Sequence, residues 1–209
     1  MLPVDRHTDL EALAFRALNV DGGRVLDALA LALSSPWLGI ATGLAIAAAI
    51  GVRRREGWWR LLVALALAVA VSDAVGSQVI RPLVGRMRPA YALPPGSVRW
   101  IAPAANVGSV PSLHASNFFA MALVGSAAWS ALAPPLYPLA LAVAWSRVYV
   151  GVHWPTDVLA GAAWGTLAAA GALGLFSSAI GPGSVRGRYC SVSPPIMLMV
   201  SKVGMRSAS

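Results

Sequence analysis

Apolar runs, several close to the about 20 residues a helix needs to cross a bilayer, recur along this chain between short polar or basic breaks. Five can be traced, at roughly 25–52, 58–80, 113–133, 135–150 and 156–177. The pattern predicts an all-α, polytopic membrane bundle of about five transmembrane helices. The first run is interrupted at Ser34-Ser35-Pro36, so it reads as one kinked helix or as a short helix followed by a span. Ahead of it, residues 8–20 carry apolar positions at helical spacing with charges opposite, the pattern of a helix lying on the membrane surface. Three regions result: an N-terminal amphipathic interfacial segment (1–24), a transmembrane domain (25–177) and a flexible basic tail (178–209). Within the tail, "IMLMV" is too short to span.

Composition sharpens this picture. The chain is 57% hydrophobic and 11% charged, more apolar than a soluble core of 209 residues can hide. Its net charge of +8 sits mostly in clusters between apolar runs, as topology signals or anion ligands rather than a nucleic-acid stripe, so no nucleic-acid partner is expected. The lone Cys190 has no internal disulfide partner, and no Cys/His set has metal-ligand spacing. No metal and no cofactor are expected. The N-terminus, with Asp5, Asp9 and Glu11 in place of a basic head, does not read as a cleaved signal peptide.

Loop charges orient the bundle. Arg53, Arg54, Arg55 and Arg60 should lie inside, and five spans bring Arg186, Arg188, Lys202 and Arg206 of the tail to the same side. The 81–111 and 146–155 loops then face outside, yet they hold Arg81, Arg86, Arg88, Arg99 and Arg147. Arginines against the usual rule need a reason.

Three stretches on that outer face supply one: "RPLVGRMRP" at 81–89, "PSLH" at 111–114 and "SRVYVGVHWPTD" at 146–157. Guanidinium groups give charge-assisted, paired hydrogen bonds to phosphate oxygens. Arg81, Arg88 and Arg147 could surround one phosphate. "PSLH" opens a helix, so Ser112 and the free backbone N–H groups behind it also favour an anion. His153 and Asp157 are four residues apart across a helix start, close enough for the carboxylate to hold one ring nitrogen while the other attacks phosphorus. His114 is left as the acid for the leaving oxygen and then as the base for water.

The spacing Arg81-x6-Arg88-Pro89, Pro111-Ser112-x-His114 and Ser146-Arg147-x5-His153-x3-Asp157 resembles the three-part signature of the type 2 phosphatidic acid phosphatase (PAP2) family, whose phosphate cradle is shared with vanadium haloperoxidases. The resemblance covers about residues 20–177. It implies a phosphohistidine enzyme with His153 as nucleophile, Asp157 as its partner, His114 as the acid, and Arg81, Arg88, Ser112, Leu113 and Arg147 as phosphate ligands. Two positions depart from the usual pattern: Arg81 stands where Lys is normal, and Leu113 stands where Gly is common and serves through its backbone N–H.

Plainer roles suit the remaining polar residues. Arg86 and Arg99 read as headgroup anchors, His7 as incidental, and Trp37, Trp58, Trp59, Trp100 and Trp154 as interface anchors, with Trp154 also a candidate for the pocket wall. Asp73, a carboxylate inside the second run, could contact Ser77 or another helix as readily as serve catalysis. The expected function is metal-independent hydrolysis of a lipid phosphomonoester or pyrophosphate by an integral protein of a bacterial plasma membrane, with the site on the extracytoplasmic side. By analogy the substrate is an undecaprenyl-type pyrophosphate; phosphatidic acid, phosphatidylglycerol phosphate and polyprenyl-phosphosugar phosphate are alternatives, as are phosphotransfer to an alcohol and a non-catalytic membrane role. Partners are the lipid phosphate and the surrounding membrane lipids, and a homo-oligomer is compatible with the sequence.

Overall fold

A computed structural model describes residues 4–5, 7–53, 56–102 and 107–176. Nine α-helices are present among them: α1 (Asp9–Leu18), α2 (Gly23–Leu33), α3 (Pro36–Arg53), α4 (Trp58–Val75), α5 (Arg81–Val84), α6 (Pro89–Ala92), α7 (Leu113–Ala128), α8 (Ala133–Tyr149) and α9 (Pro155–Gly174). The tail at 178–209, with its expected inside charges, lies outside the described residues.

The break at Ser34-Ser35-Pro36 makes two helices rather than one kinked span. Pro36 has no N–H to donate and fits the first turn of α3, and Ser34 caps α2 by donating its backbone N–H to Ala30 O. The second run continues beyond residue 80. A π turn (Gly76–Ile80) carries α4 into α5 just ahead of Pro82, whose ring and missing N–H disturb the regular ladder, and the wider turn absorbs the disturbance. Pro36–Arg53 and Trp58–Val84 are both long and apolar enough to cross a membrane, and α7 is a shorter apolar helix.

The centre of the bundle is α7, which packs against α9, α8, α4 and α3. Its buried positions, Ala115, Ser116, Phe118, Ala120, Met121 and Val124 among them, run right round the helix, as a surrounded helix requires. Outer faces carry exposed leucines such as Leu159 (68%) and Leu167 (65%), which suit hydrocarbon better than water. Two glycines set the tightest contact: a Cβ on Gly161 would come within 2.4 Å of Ser112 O, and one on Gly165 within 1.9 Å of Ser116 O. The Gly-x-x-x-Gly spacing thus lets the α9 and α7 backbones touch.

At the other pole, α1 folds over the ends of α8 and α9. Ala12 and Phe15 of α1 join a core with Val148, Trp154 and Val158. Val4 pairs with the 85–87 backbone, donating to Gly85 O (2.7 Å) and accepting from Met87 N (3.1 Å). Residues 85–88 thus form a short extended stretch held from both sides: Ser109 N donates to Arg86 O (2.9 Å) and Arg88 N to Val107 O (3.1 Å).

Candidate active site

Residues far apart in sequence meet where α7, α9 and the 81–89 stretch converge. Arg81, Arg88, Leu113, His114, Arg147 and His153 all line one cavity of about 880 Å³. Asp157 and Ser112 sit just behind that wall, fully buried, and Ser112 N donates to Asp157 O (3.0 Å), tying the start of α7 to the start of α9.

Each side chain is placed by a local feature. Gly85, in the left-handed region at φ 57°, ends α5 and turns the chain into the extended stretch bearing Arg88. Gly151, at φ 85°, makes the turn after α8; its Cβ would meet Arg99 O at 2.6 Å, so a side chain is excluded twice over. That turn presents His153. Pro155 then opens α9, and Asp157 in its first turn accepts from the Trp154 backbone N–H (2.9 Å) through Oδ2.

The same Oδ2 lies 3.3 Å from His153 Nδ1, and Arg88 Nη1 lies 3.0 Å from His153 Nε2. A guanidinium has donors and no acceptors, so Nε2 must offer its lone pair, and the hydrogen-bond network assigns the imidazole proton to Nδ1, facing Asp157. Burial, and then the charges of Arg88, Arg147 and Arg81, hold the His153 pKa well below the ordinary histidine value. Arg88 is itself lowered to about 10, first by burial and then by Arg81, which leaves it charged at neutral pH. Arg81 donates to Pro111 O (3.2 Å) and Arg147 to Ser34 O (3.5 Å), while Arg81 Nε, Arg147 Nε and Ser112 Oγ are buried without a partner. Buried donors left without a partner are groups that a bound anion would satisfy.

A model of the PAP2 superfamily matches residues 57–179, more than half of the chain. The chain belongs to the PAP2 superfamily. It is 32% identical over 108 residues to a lipid A 4'-phosphatase of Bacteroides thetaiotaomicron (48% of this chain, 47% of the relative). It is 47% identical over 55 residues to the putative undecaprenyl-diphosphatase YbjG of Escherichia coli (25% of this chain, 27% of the relative). The matches thus span less than half the length of these curated relatives. Among solved structures, the fold resembles LpxE of Aquifex aeolicus (TM-score 0.68, 22% identity, 83% of this chain and 99% of that one). It also resembles the transmembrane PAP2-type phosphatidylglycerolphosphate phosphatase of Bacillus subtilis (TM-score 0.62, 20% identity, 82% and 89%).

Several plainer readings of the sequence are corrected within this PAP2 fold. Arg86 is not a headgroup anchor: it is 6% exposed and donates to Asp157 Oδ1 (2.9 Å) and Thr156 Oγ1 (2.7 Å), and it pairs with Glu11. Arg99 is a tie rather than an anchor, bridging to Asp27 (2.5 Å) and Asp21 (3.4 Å). Trp154 is neither an anchor nor on the cavity wall; it is fully buried, donates to Met87 O (2.9 Å), and is stacked by His7 at 4.8 Å. Asp73, by contrast, makes the contact to another helix that the sequence allowed, accepting from Asn117 Nδ2 (3.2 Å), and both line the cavity. The signal for the buried group was the Glu11 carboxylate at a helix position that shares a face with Phe15, since a buried carboxylate demands a cation.

Proposed function

We propose that the protein is an integral membrane phosphatase acting on a lipid phosphate. One observation carries this reading: the wall of arginines and imidazoles continues into an apolar groove lined by Gly39, Ile40, Gly43 and Leu44 of α3 and Leu62, Leu65 and Val69 of α4. A headgroup phosphate and its hydrocarbon tail would both be accommodated.

In the proposed cycle, His153 Nε2 attacks phosphorus, a P–N bond forms, and the P–O bond to the leaving group (the lipid alcohol of a monoester, the lipid monophosphate of a pyrophosphate) breaks as His114, entering as the imidazolium, protonates the departing oxygen. His114 then takes a proton from water, whose oxygen displaces His153 and releases phosphate. Arg81, Arg88, Arg147, Ser112 Oγ and the Leu113 N–H would hold the three equatorial oxygens, where charge builds in the transition state. The chemistry assigned here uses side chains and a backbone N–H of the protein, so chelators should leave turnover intact and vanadate should inhibit it. Oxygen from labelled water in the released phosphate distinguishes hydrolysis from transfer to an alcohol.

For substrate, an undecaprenyl-type pyrophosphate is the preferred reading, supported by the likeness to the putative undecaprenyl-diphosphatase and by the apolar groove. A second reading has a specific observation behind it. Asp73 and Asn117 place hydrogen-bonding groups on the groove wall, where an isoprenoid offers nothing to bond and an acylated sugar phosphate would, in line with the likeness to a lipid A 4'-phosphatase. The arginine cluster between α3 and α4 supports a site on the outer side, and the likeness to bacterial relatives supports a bacterial membrane. The deciding experiment is phosphate release by purified protein from a panel of undecaprenyl pyrophosphate, phosphatidic acid, phosphatidylglycerol phosphate and an acylated glucosamine phosphate. Fastest release from the first is expected; release from none defeats the reading.

A further inference from the structure

Behind the His153–Asp157 pair lies a second buried charge cluster that the proposed cycle does not use. Asp157 Oδ2 is committed to the Trp154 N–H and His153 Nδ1, while Oδ1 accepts from Arg86 Nη1 (2.9 Å). Arg86 Nη2 pairs with Glu11 Oε2 of α1, and the other oxygen of Glu11 takes the Thr156 hydroxyl and its backbone N–H (3.4 Å). Glu11 and Asp157 are thus two buried carboxylates, 8% and 0% exposed, sharing one buried guanidinium. The Arg86 backbone is pinned between Val4 on one side and residues 107–109 on the other, and its guanidinium carbon lies 5.4 Å from the centre of the Trp154 ring.

We propose that Arg86, clamped by Glu11, is a positioning residue that holds the Asp157 carboxylate against His153, which makes the N-terminal segment a working part of the site. A carboxylate bonded through only one oxygen can swing about its Cβ–Cγ bond. Bonded through both, from opposite sides, it is fixed in the plane that meets His153 Nδ1. Arg86 in turn has several rotatable bonds and would not stay put by itself, and Glu11 with Thr156 removes that freedom. A buried pair of this kind adds little net stability, because desolvation offsets the attraction. Its contribution is orientation, which is what a nucleophilic imidazole needs from its partner.

This inference rests on the phosphatase reading, so its test has one readout that needs turnover and one that does not. Detergent-purified wild type, Arg86→Gln, Arg86→Lys, Glu11→Gln and the double variant Glu11→Gln/Arg86→Gln are compared. Three things are measured: kcat and KM for the best lipid phosphate, thermal melting, and the His153 Nδ1–H proton shift by NMR. Arg86→Gln should lower kcat by about 10–100-fold, the range typical of groups that orient a reacting residue from behind, with KM within about threefold. Arg86→Lys should recover part of the loss. Glu11→Gln should cost about three- to tenfold alone and almost nothing in the Arg86→Gln background, because it acts through Arg86. The Nδ1–H signal should shift in both single variants. A folded Arg86→Gln protein with kcat within about twofold of wild type and an unmoved Nδ1–H signal overturns the proposal. So does a loss that follows the folded fraction alone. If Arg86→Gln does not fold, Glu11→Gln, which keeps the carboxylate's outline, decides by the same two readouts. A wild type inactive on every lipid phosphate defeats the phosphatase reading, and the Nδ1–H shift then decides the positioning role separately.

Discussion

Gly165 lies so close to Ser116 that a β-carbon on it would fall 1.9 Å from the Ser116 carbonyl oxygen. The contact matters beyond packing, because α9 carries Asp157 in its first turn and α7 begins at Ser112 and His114. The separation of these two helices sets the distance between the two halves of the site.

Adding one methyl group should therefore damage both stability and activity. Gly165→Ala forces backbone against backbone, an overpacking cost of about 1–3 kcal/mol, and should lower the melting temperature in detergent and reduce kcat/KM by about tenfold or more. Gly171→Ala, where no atom beyond its own stretch of helix lies within 4 Å of the added carbon, is the control and should leave activity unchanged and the melting temperature unchanged or slightly raised, since alanine favours a helix over glycine. Equal melting curves for the two variants would contradict the packing account.

The charge at position 81 should matter more than its shape. Arg81 reaches the cavity while bonding Pro111 O at 3.2 Å. Arg81→Lys, which restores the residue usual in the family, should stay within about tenfold of wild type in kcat/KM. Arg81→Gln should lose roughly 10²–10³-fold, the scale of removing one transition-state donor. Steady-state kinetics on the preferred substrate checks the order, and an Arg81→Gln enzyme as active as Arg81→Lys removes Arg81 from the cradle.

His153 should be neutral well into the acid range. An ordinary histidine gains its proton as pH falls through about 6.5; burial and the neighbouring arginines push this group lower, so the free lone pair on its ring persists below that point. Nitrogen NMR of labelled protein, with the His153 signal assigned by its loss in His153→Ala, should show the Nδ1–H tautomer at about pH 6. An imidazolium signal there contradicts the assigned electrostatics. The same His153→Ala protein should remain folded and lose at least about 10³-fold in turnover.

Filling the groove should discriminate by chain length. A Cβ on Gly43 would meet Met121 Sδ at an ordinary 3.6 Å, so alanine is tolerated there, whereas a leucine must project into the cavity. Gly43→Leu should raise KM about tenfold more for an undecaprenyl substrate than for a short-chain analogue. An equal effect on both would place the tail elsewhere.

The sequence by itself determined the helical class, the apolar runs and the three motifs, because hydrophobic run length and the order of chemically distinctive residues are local properties. It also located the break at Pro36, since proline acts on its own backbone. It did not show that Arg86 and Trp154 belong behind the His153–Asp157 pair rather than at the interface. An arginine near a span end reads the same whether it meets a lipid headgroup or a buried carboxylate 75 residues earlier in the chain. Only folding decides, because the partner that makes burial of that charge tolerable, Glu11, arrives through the docking of α1. The meeting of α7 with α9 was likewise hidden: Gly161 and Gly165 announce a close approach, but which backbone comes close is a property of the assembled bundle.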